Sequence, residues 1–252
     1  MMWKTFAGRC IHHGLNGIEV WQNLAYRWLT FGTPAIQTML NRRHRERFGL
    51  DYMQALTLPA RINPAPSCLL GLGGAGIAHA LAPYLGDIQL DAIENSLEVI
   101  DISARYFWTD QLKNLRIIHQ DAFLHVQQSS AQYQHIMIDL FNAHSFPTHC
   151  NNTDFFMHCK RMLLSEGILA VNLANLQEQW SVFKTIRAQF QQCTVCIPIP
   201  GTANIVVLAY KGTTIKPLLT LLENHRHLKK LTWDSTWGCV AFIQSQAVLL
   251  PF

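Results

Sequence analysis

At 252 residues the chain is long for one domain and short for two, so one large domain with a small attachment is expected. Hydrophobic residues make up 49% and charged residues 14%, enough apolar material for a sizeable core, which excludes a largely disordered chain. The net charge of +4 is too small to name a partner, but it is unevenly spread: residues 1–47 hold seven Lys or Arg and two acids, and the remainder is close to neutral.

The N-terminal fifty residues carry short β-like runs, Ile18 to Trp21, Tyr26 to Phe31 and Ile36 to Leu40, with a turn at Gly32-Thr33-Pro34. These predict a small antiparallel unit over 1–48. Apolar spacing turns helical from Leu50 to Leu58, and Pro59, Pro64 and Pro66 mark a linker. From Ser67 the rhythm changes to alternating strands and helices. Strands are expected at Cys68–Leu72, Ile88–Ile93, Leu115–Ile118, Tyr133–Ile138 and Ile168–Asn172. Helices are expected between them: up to Leu85, from Leu97 to Phe107 capped by Asn95-Ser96, over Ala122–Gln128, and from Thr153 to a terminal Gly167. A further helix, Leu176–Phe190, precedes an antiparallel pair, Thr194–Ile199 and Asn204–Tyr210.

Such alternation implies a parallel sheet covered on both faces. A mostly parallel seven-stranded sheet ending in an antiparallel hairpin is the α/β arrangement of class I methyltransferase-like (Rossmann-like) domains, and residues 49–252 are assigned to it. The uncharged run Cys68 to Gly86 holds clustered glycines, His79 and Pro83, so it reads as strand, turn and helix, and no membrane partner is expected.

Seven cysteines, several inside apolar runs and without a secretory-type leader at Met1 to Val20, read as reduced thiols of a cytoplasmic protein. Cys193 and Cys196 have redox-motif spacing, yet on a strand they face opposite sides, which favours packing. His144, His149 and Cys150 are a weak metal cluster. The basic run Arg42 to Arg47 reads as a solvated face, and no nucleic-acid partner is expected.

The chemistry concentrates at strand ends. Gly71, Gly73, Gly74 and Gly76 lie between a strand and a helix, where the absence of side chains allows a tight turn and close ligand approach. Glu94 ends the second strand of this series, where a carboxylate can accept from both ribose hydroxyls. Asp121 ends the third, where it can accept from an adenine amino group, and either acid can also cap the following helix. Together they point to an adenosine-containing ligand, either a dinucleotide or an S-adenosyl compound, the third-strand acid and the hairpin favouring the latter. Asp139 ends the very apolar fourth strand and opens into the same crevice, placed to orient or deprotonate an amine or merely to cap a loop.

From Ile18 to Tyr210 the order Phe31-Gly32, Gln37, Asp51-Tyr52, glycine loop, Ile93-Glu94-Asn95, Gln120-Asp121-Ala122, Ile138-Asp139 and Gly167 to Asn172 resembles the spermidine synthase (polyamine aminopropyltransferase) family. The resemblance implies decarboxylated S-adenosylmethionine as co-substrate, no prosthetic group or metal, a small amine such as putrescine as acceptor, and release of methylthioadenosine. It implies Gln37 near the thioether or nucleoside, Glu94 on the ribose, Asp121 with Ala122 at the adenine, and Asp139 activating the amine. Tyr52 and Asn142 would line the acceptor side. Family members often dimerise, and a homodimer is carried over on that ground alone.

The departures fall on the amine side: the family's loop aspartate reads Ala75, its second acid after the fourth strand reads Asn142, its Tyr-His-Glu run reads Tyr52-Met53-Gln54, and an early aspartate reads Phe31. Putrescine carries two ammonium groups, each with a pKa of about 10.4 like lysine, and burying them without carboxylates is expensive. Two further readings therefore stand beside aminopropyl transfer: an S-adenosylmethionine-dependent methyltransferase, and a non-catalytic nucleoside-binding homologue.

Overall fold

The computed structural model describes residues 2–141, 145–223 and 228–243. A short helix α1 (Met2–Thr5) leads into a four-stranded antiparallel sheet of β1 (Arg9–His13), β2 (Ile18–Gln22), β3 (Tyr26–Phe31) and β4 (Ile36–Asn41), ordered as in the chain. Ile18, Val20, Leu29 and Leu40 on its inner face are buried against Val99, Ile102 and Phe107. Strand β1 was not expected: Arg-Cys-Ile-His-His lacks the apolar alternation that marks the other three.

Short helices α2 (Met53–Leu56) and α3 (Leu58–Ile62) follow. The expected linker is thus partly helical. Pro59 stands in the first turn of α3, where no N–H is needed, and Leu58, Pro59 and Ala60 are buried.

The second sheet contains β5 (Ser67–Leu70), β6 (Leu90–Glu94), β7 (Leu115–His119), β8 (Tyr133–Ile138), β9 (Leu163–Leu173), β10 (Thr194–Pro198), β11 (Ile205–Tyr210), β12 (Leu228–Asp234) and β13 (Gly238–Ile243). Helices α4 (Gly76–Leu85), α5 (Leu97–Phe107), α6 (Ala122–Gln128), α7 (Thr153–Met162), α8 (Leu176–Gln189) and α9 (Lys216–Glu223) connect them. The sheet order is β12-β13-β10-β11-β9-β8-β5-β6-β7. Strands β7, β6, β5, β8 and β9 are parallel, and β11 runs antiparallel to both β9 and β10. The expected seven-stranded, mostly parallel sheet with its hairpin is therefore present, inside a sheet of nine. The two extra strands come from the tail, where β13 pairs parallel with β10 and β12 closes the edge.

Each face of this sheet carries its own core. Cys193 belongs to one cluster and Cys196 to the other, as their opposite facing on a strand requires. Helix α7 ends at Met162, short of Gly167, and is capped by Asn152, whose side chain accepts from the Phe155 N–H. Gly167 is thus a strand residue: between the pairs Tyr133–Leu163 and His135–Ile168 the strand β9 bulges, with Glu166 left-handed. A Cβ on Gly167 would press on the carbonyls of Leu164 and Gln134 at 3.0 and 3.1 Å.

Candidate active site

Strand order reverses between β5 and β8, and open α/β sheets take ligands at such a switch point, outside the carboxyl ends of the strands. A cavity of about 600 Å³ lies there. The turns after β5, β6, β7, β8 and β9 form its floor, and Phe31, Gln37 and Thr38 of the N-terminal sheet contribute to its wall.

Close approach at the switch point fixes the glycine loop. Gly71 has φ 95°, and a Cβ there would stand 2.4 Å from the Asp139 carbonyl. Gly71, Leu72 and Gly73 line the cavity. Gly74 and Gly76 do not: their added Cβ atoms would meet Phe107 and Thr38, and Thr38 and Met53, respectively. These two glycines serve the packing of the N-terminal sheet onto the loop, and Thr38 Oγ1 accepts from the Gly74 N–H at 2.9 Å. Ala75 is left-handed at φ 56° and fully buried outside the cavity lining.

Glu94 and Asp121 line the cavity while also holding backbone. Glu94 accepts from the N–H groups of Leu72 (3.2 Å) and Ser96 (3.0 Å), joining the glycine loop to the start of α5. Asp121 caps α6 by accepting from the Leu124 N–H at 3.0 Å, and its other oxygen lies 3.0 Å from His149 Nε2. Each carboxylate oxygen keeps a further lone pair for a ligand. Ala122 and Gln37 also line the cavity. His149 was grouped in the sequence with His144 and Cys150; its observed partner is Asp121, Cys150 is buried, and His144 lies outside the described residues. Asn142 lies outside them as well.

Asp139 is the centre of a polar chain. The Tyr52 hydroxyl donates to one oxygen at 2.8 Å and the Asn172 amide donates to the other at 2.9 Å. Asn204 in turn donates to the Asn172 amide oxygen at 2.9 Å, so that amide is held with its NH2 toward the acid. Burial pushes the Asp139 carboxyl above its ordinary value, and the two donors partly oppose this. Burial, with the carboxylate beside it, holds the Tyr52 phenol well above its usual range, so the tyrosine stays a donor.

The lining contains the carboxylates Asp51, Glu94, Asp121 and Asp139, and no Lys or Arg among the described residues. Within the basic run, Arg42 donates to the Asn23 carbonyl and Arg45 lies over the Trp108 ring at 4.7 Å, a ring that Arg27 also approaches at 4.5 Å. Among the described residues the cavity wall is thus richer in acids than in bases, with no Lys or Arg to meet a pyrophosphate.

The spermine/spermidine synthase domain model matches residues 73–215, more than half of the chain. The chain belongs to the spermine/spermidine synthase family. Among curated relatives, the polyamine aminopropyltransferase of Vibrio vulnificus is 27% identical over 62% of this chain and 55% of its own length. The probable polyamine aminopropyl transferase of Bifidobacterium longum is 26% identical, over 38% of its own length. Across these two relatives, the match thus spans about half of their length or less. The polyamine aminopropyltransferase of Chromobacterium violaceum is 23% identical over 82% of this chain and 79% of its length. A probable spermidine synthase from Corynebacterium glutamicum superposes with TM-score 0.69 at 15% identity, covering 86% of this chain and 88% of that one. The Thermotoga maritima spermidine synthase gives 0.67 at 16% identity, covering 90% and 81%. Human methyltransferase-like protein 13 gives 0.57. At these identities the structural likenesses show the fold alone.

The strand-end position that marks Glu94, Asp121 and Asp139 in the sequence also holds for Asn172, a polar residue closing an apolar run that was not singled out. Thr38 and Asn204 carried no local signal, because their partners are supplied by other elements, and His149 was marked only as a weak metal ligand, whereas its partner is Asp121. Among the described residues, no helix is long and apolar enough to cross a membrane.

Proposed function

We propose that this family member is an aminopropyltransferase, moving an aminopropyl group from decarboxylated S-adenosylmethionine to a small amine and releasing methylthioadenosine. The observation that carries this reading is the cavity's charge: among the described residues, four carboxylates and no Lys or Arg, with one of the acids held between Tyr52 and Asn172 at the switch point. A sulfonium donor and an ammonium acceptor are both cations, and this wall suits both.

In this reading Gln37 and Glu94 hold the nucleoside and ribose, and Asp121 with Ala122 meets the base. Asp139 takes the proton from the acceptor ammonium. The freed nitrogen lone pair attacks the propyl carbon bonded to sulfur, and the carbon–sulfur electron pair returns to sulfur as a neutral thioether. The donor arrives pre-activated, so the protein needs only to orient the amine, hold it deprotonated and exclude water. A carboxyl with a raised pKa is the better proton acceptor for this task. Asp51, exposed at the cavity rim, offers a second carboxylate to an acceptor with two ammonium groups. A cytoplasmic setting, where seven thiols stay reduced, accords with the reading.

The test is to incubate the protein with decarboxylated or ordinary S-adenosylmethionine and a panel of amines, and to identify products by mass spectrometry. Methylthioadenosine together with an aminopropylated amine is the expected result. S-adenosylhomocysteine would move the chain to the methyltransferases. Methylthioadenosine binding without turnover would make it a nucleoside-binding homologue.

A further inference from the structure

Among the described residues, strand β1 forms the outer edge of the N-terminal sheet and pairs with β2 alone. Its pairing is interrupted: Cys10 stands opposite Trp21, His12 opposite Val20 and His13 opposite Glu19, which leaves Ile11 as an extra residue. In an unbroken strand, residues three apart point to opposite faces. The bulge removes one step of that alternation, so Cys10 and His13 come to one face. Glu19, directly across from His13, completes the group.

A thiol, an imidazole and a carboxylate thus gather on one exposed face. Cys10 Sγ lies 3.7 Å from His13 Nδ1, and His13 Nδ1 lies 3.1 Å from Glu19 Oε1. All three donor atoms fall within 4.8 Å of one another. Ligands bonded at about 2.0–2.3 Å to a tetrahedral Zn²⁺ stand about 3.3–3.7 Å apart. The carboxylate is also braced from outside: Trp21 Nε1 donates to Glu19 Oε2 at 2.9 Å, which leaves Oε1 facing the thiol and the imidazole. Outer hydrogen bonds of this kind orient metal ligands.

We propose that Cys10, His13 and Glu19 bind a borderline divalent cation, Zn²⁺ in the first instance, with water in the fourth position. A thiolate, an imidazole and a carboxylate suit Zn²⁺, whereas Mg²⁺ and Ca²⁺ take oxygen ligands. On binding, Cys10 gives its thiol proton to solvent and the sulfur pair goes to the metal. His13 is 72% and Glu19 33% exposed, so the cation enters without opening the fold. Cys68, Cys150, Cys159, Cys193 and Cys196 are buried, and Cys239 is partly so. Among the described residues, Cys10 alone of the cysteines meets both other ligand types. The bound cation would tie the free edge strand to β2. The segment between the two strands supplies Asn16, and β2 supplies Ile18, to the cavity wall, so the tie steadies one side of the cavity. The site is independent of the reaction proposed above.

The test uses untagged, reduced, metal-stripped protein titrated with Co²⁺ as a spectroscopic probe and then with Zn²⁺. One equivalent of Co²⁺ is expected to give a thiolate-to-cobalt charge-transfer band, and one equivalent of Zn²⁺ to remove it while raising the melting temperature. Cys10→Ser abolishes the band and Cys239→Ser leaves it intact. Trp21→Phe, which touches no metal, weakens affinity about 10- to 100-fold. No band, a band that survives Cys10→Ser, or equal displacement by Mg²⁺ overturns the proposal. Circular dichroism of each variant shows that the fold is retained.

Discussion

Two carboxylates of the large sheet are each bonded by a tyrosine hydroxyl, and they differ in what else they meet. Asp91, near the amino end of β6, is 2% exposed. It accepts from Tyr133 at 2.6 Å and takes two bonds from the Arg116 guanidinium, at 2.8 and 2.5 Å. Asp139, beyond the carboxyl end of β8, accepts from Tyr52 and Asn172 and has no ion pair among the described residues. The first carboxylate is neutralised by the protein itself and tethers three strands. The second is oriented by neutral donors, carries a raised pKa and faces a cavity. Placing the cation in the chain makes a structural tie, and leaving it out makes a site for one.

Three substitutions break or sharpen this contrast. Asp139→Asn keeps the shape and removes the proton acceptor. Turnover should fall by about 10²- to 10⁴-fold, with nucleoside affinity unchanged; equal loss of binding would assign Asp139 to the nucleoside. Arg116→Leu leaves Asp91 buried beside a tyrosine with no cation. The Arg116 side chain is 61% exposed, so solvent screens part of the loss, and stability should fall by about 1–2 kcal/mol, read as a lower denaturant midpoint, while ligand affinity at the cavity is unchanged. Tyr52→Phe gives the smallest effect and the most diagnostic one. The Tyr52 hydrogen bond favours ionised Asp139 and lowers its pKa, so losing it raises that pKa further. Activity requires the ionised form, so the acid limb of kcat/KM should move to higher pH, and an unmoved limb would remove Tyr52 from the proton-accepting group.

The contrast between these acids also explains what could be read before folding. Glu94, Asp121 and Asp139 were legible because each ends an apolar strand, and all such ends converge on one crevice in a parallel sheet. Gln37 and Tyr52 were legible through family resemblance alone, since nothing in their local pattern marks them. Asp91 reads as an interior strand residue, and its arginine lies 25 positions away on β7. The roles of Thr38 and Asn204 follow from partners 36 and 32 positions distant. The fold shows the same division. The alternation from Ser67 to Tyr210 was plain, whereas β1, with two histidines and an arginine in five residues, and the tail strands β12 and β13 are held by pairing with neighbours that their own pattern does not announce.

The cavity wall runs in sequence from Asn16 to Asn204. No stretch of the chain holds a usable fraction of it, so the cavity comes into being only when the N-terminal sheet, the parallel strands and the antiparallel β11 have all assembled. Contacts of such long sequence separation form late and slowly. A nucleoside that binds here therefore recognises only the finished molecule, and by mass action it draws the whole folding equilibrium toward completion rather than steadying a single loop.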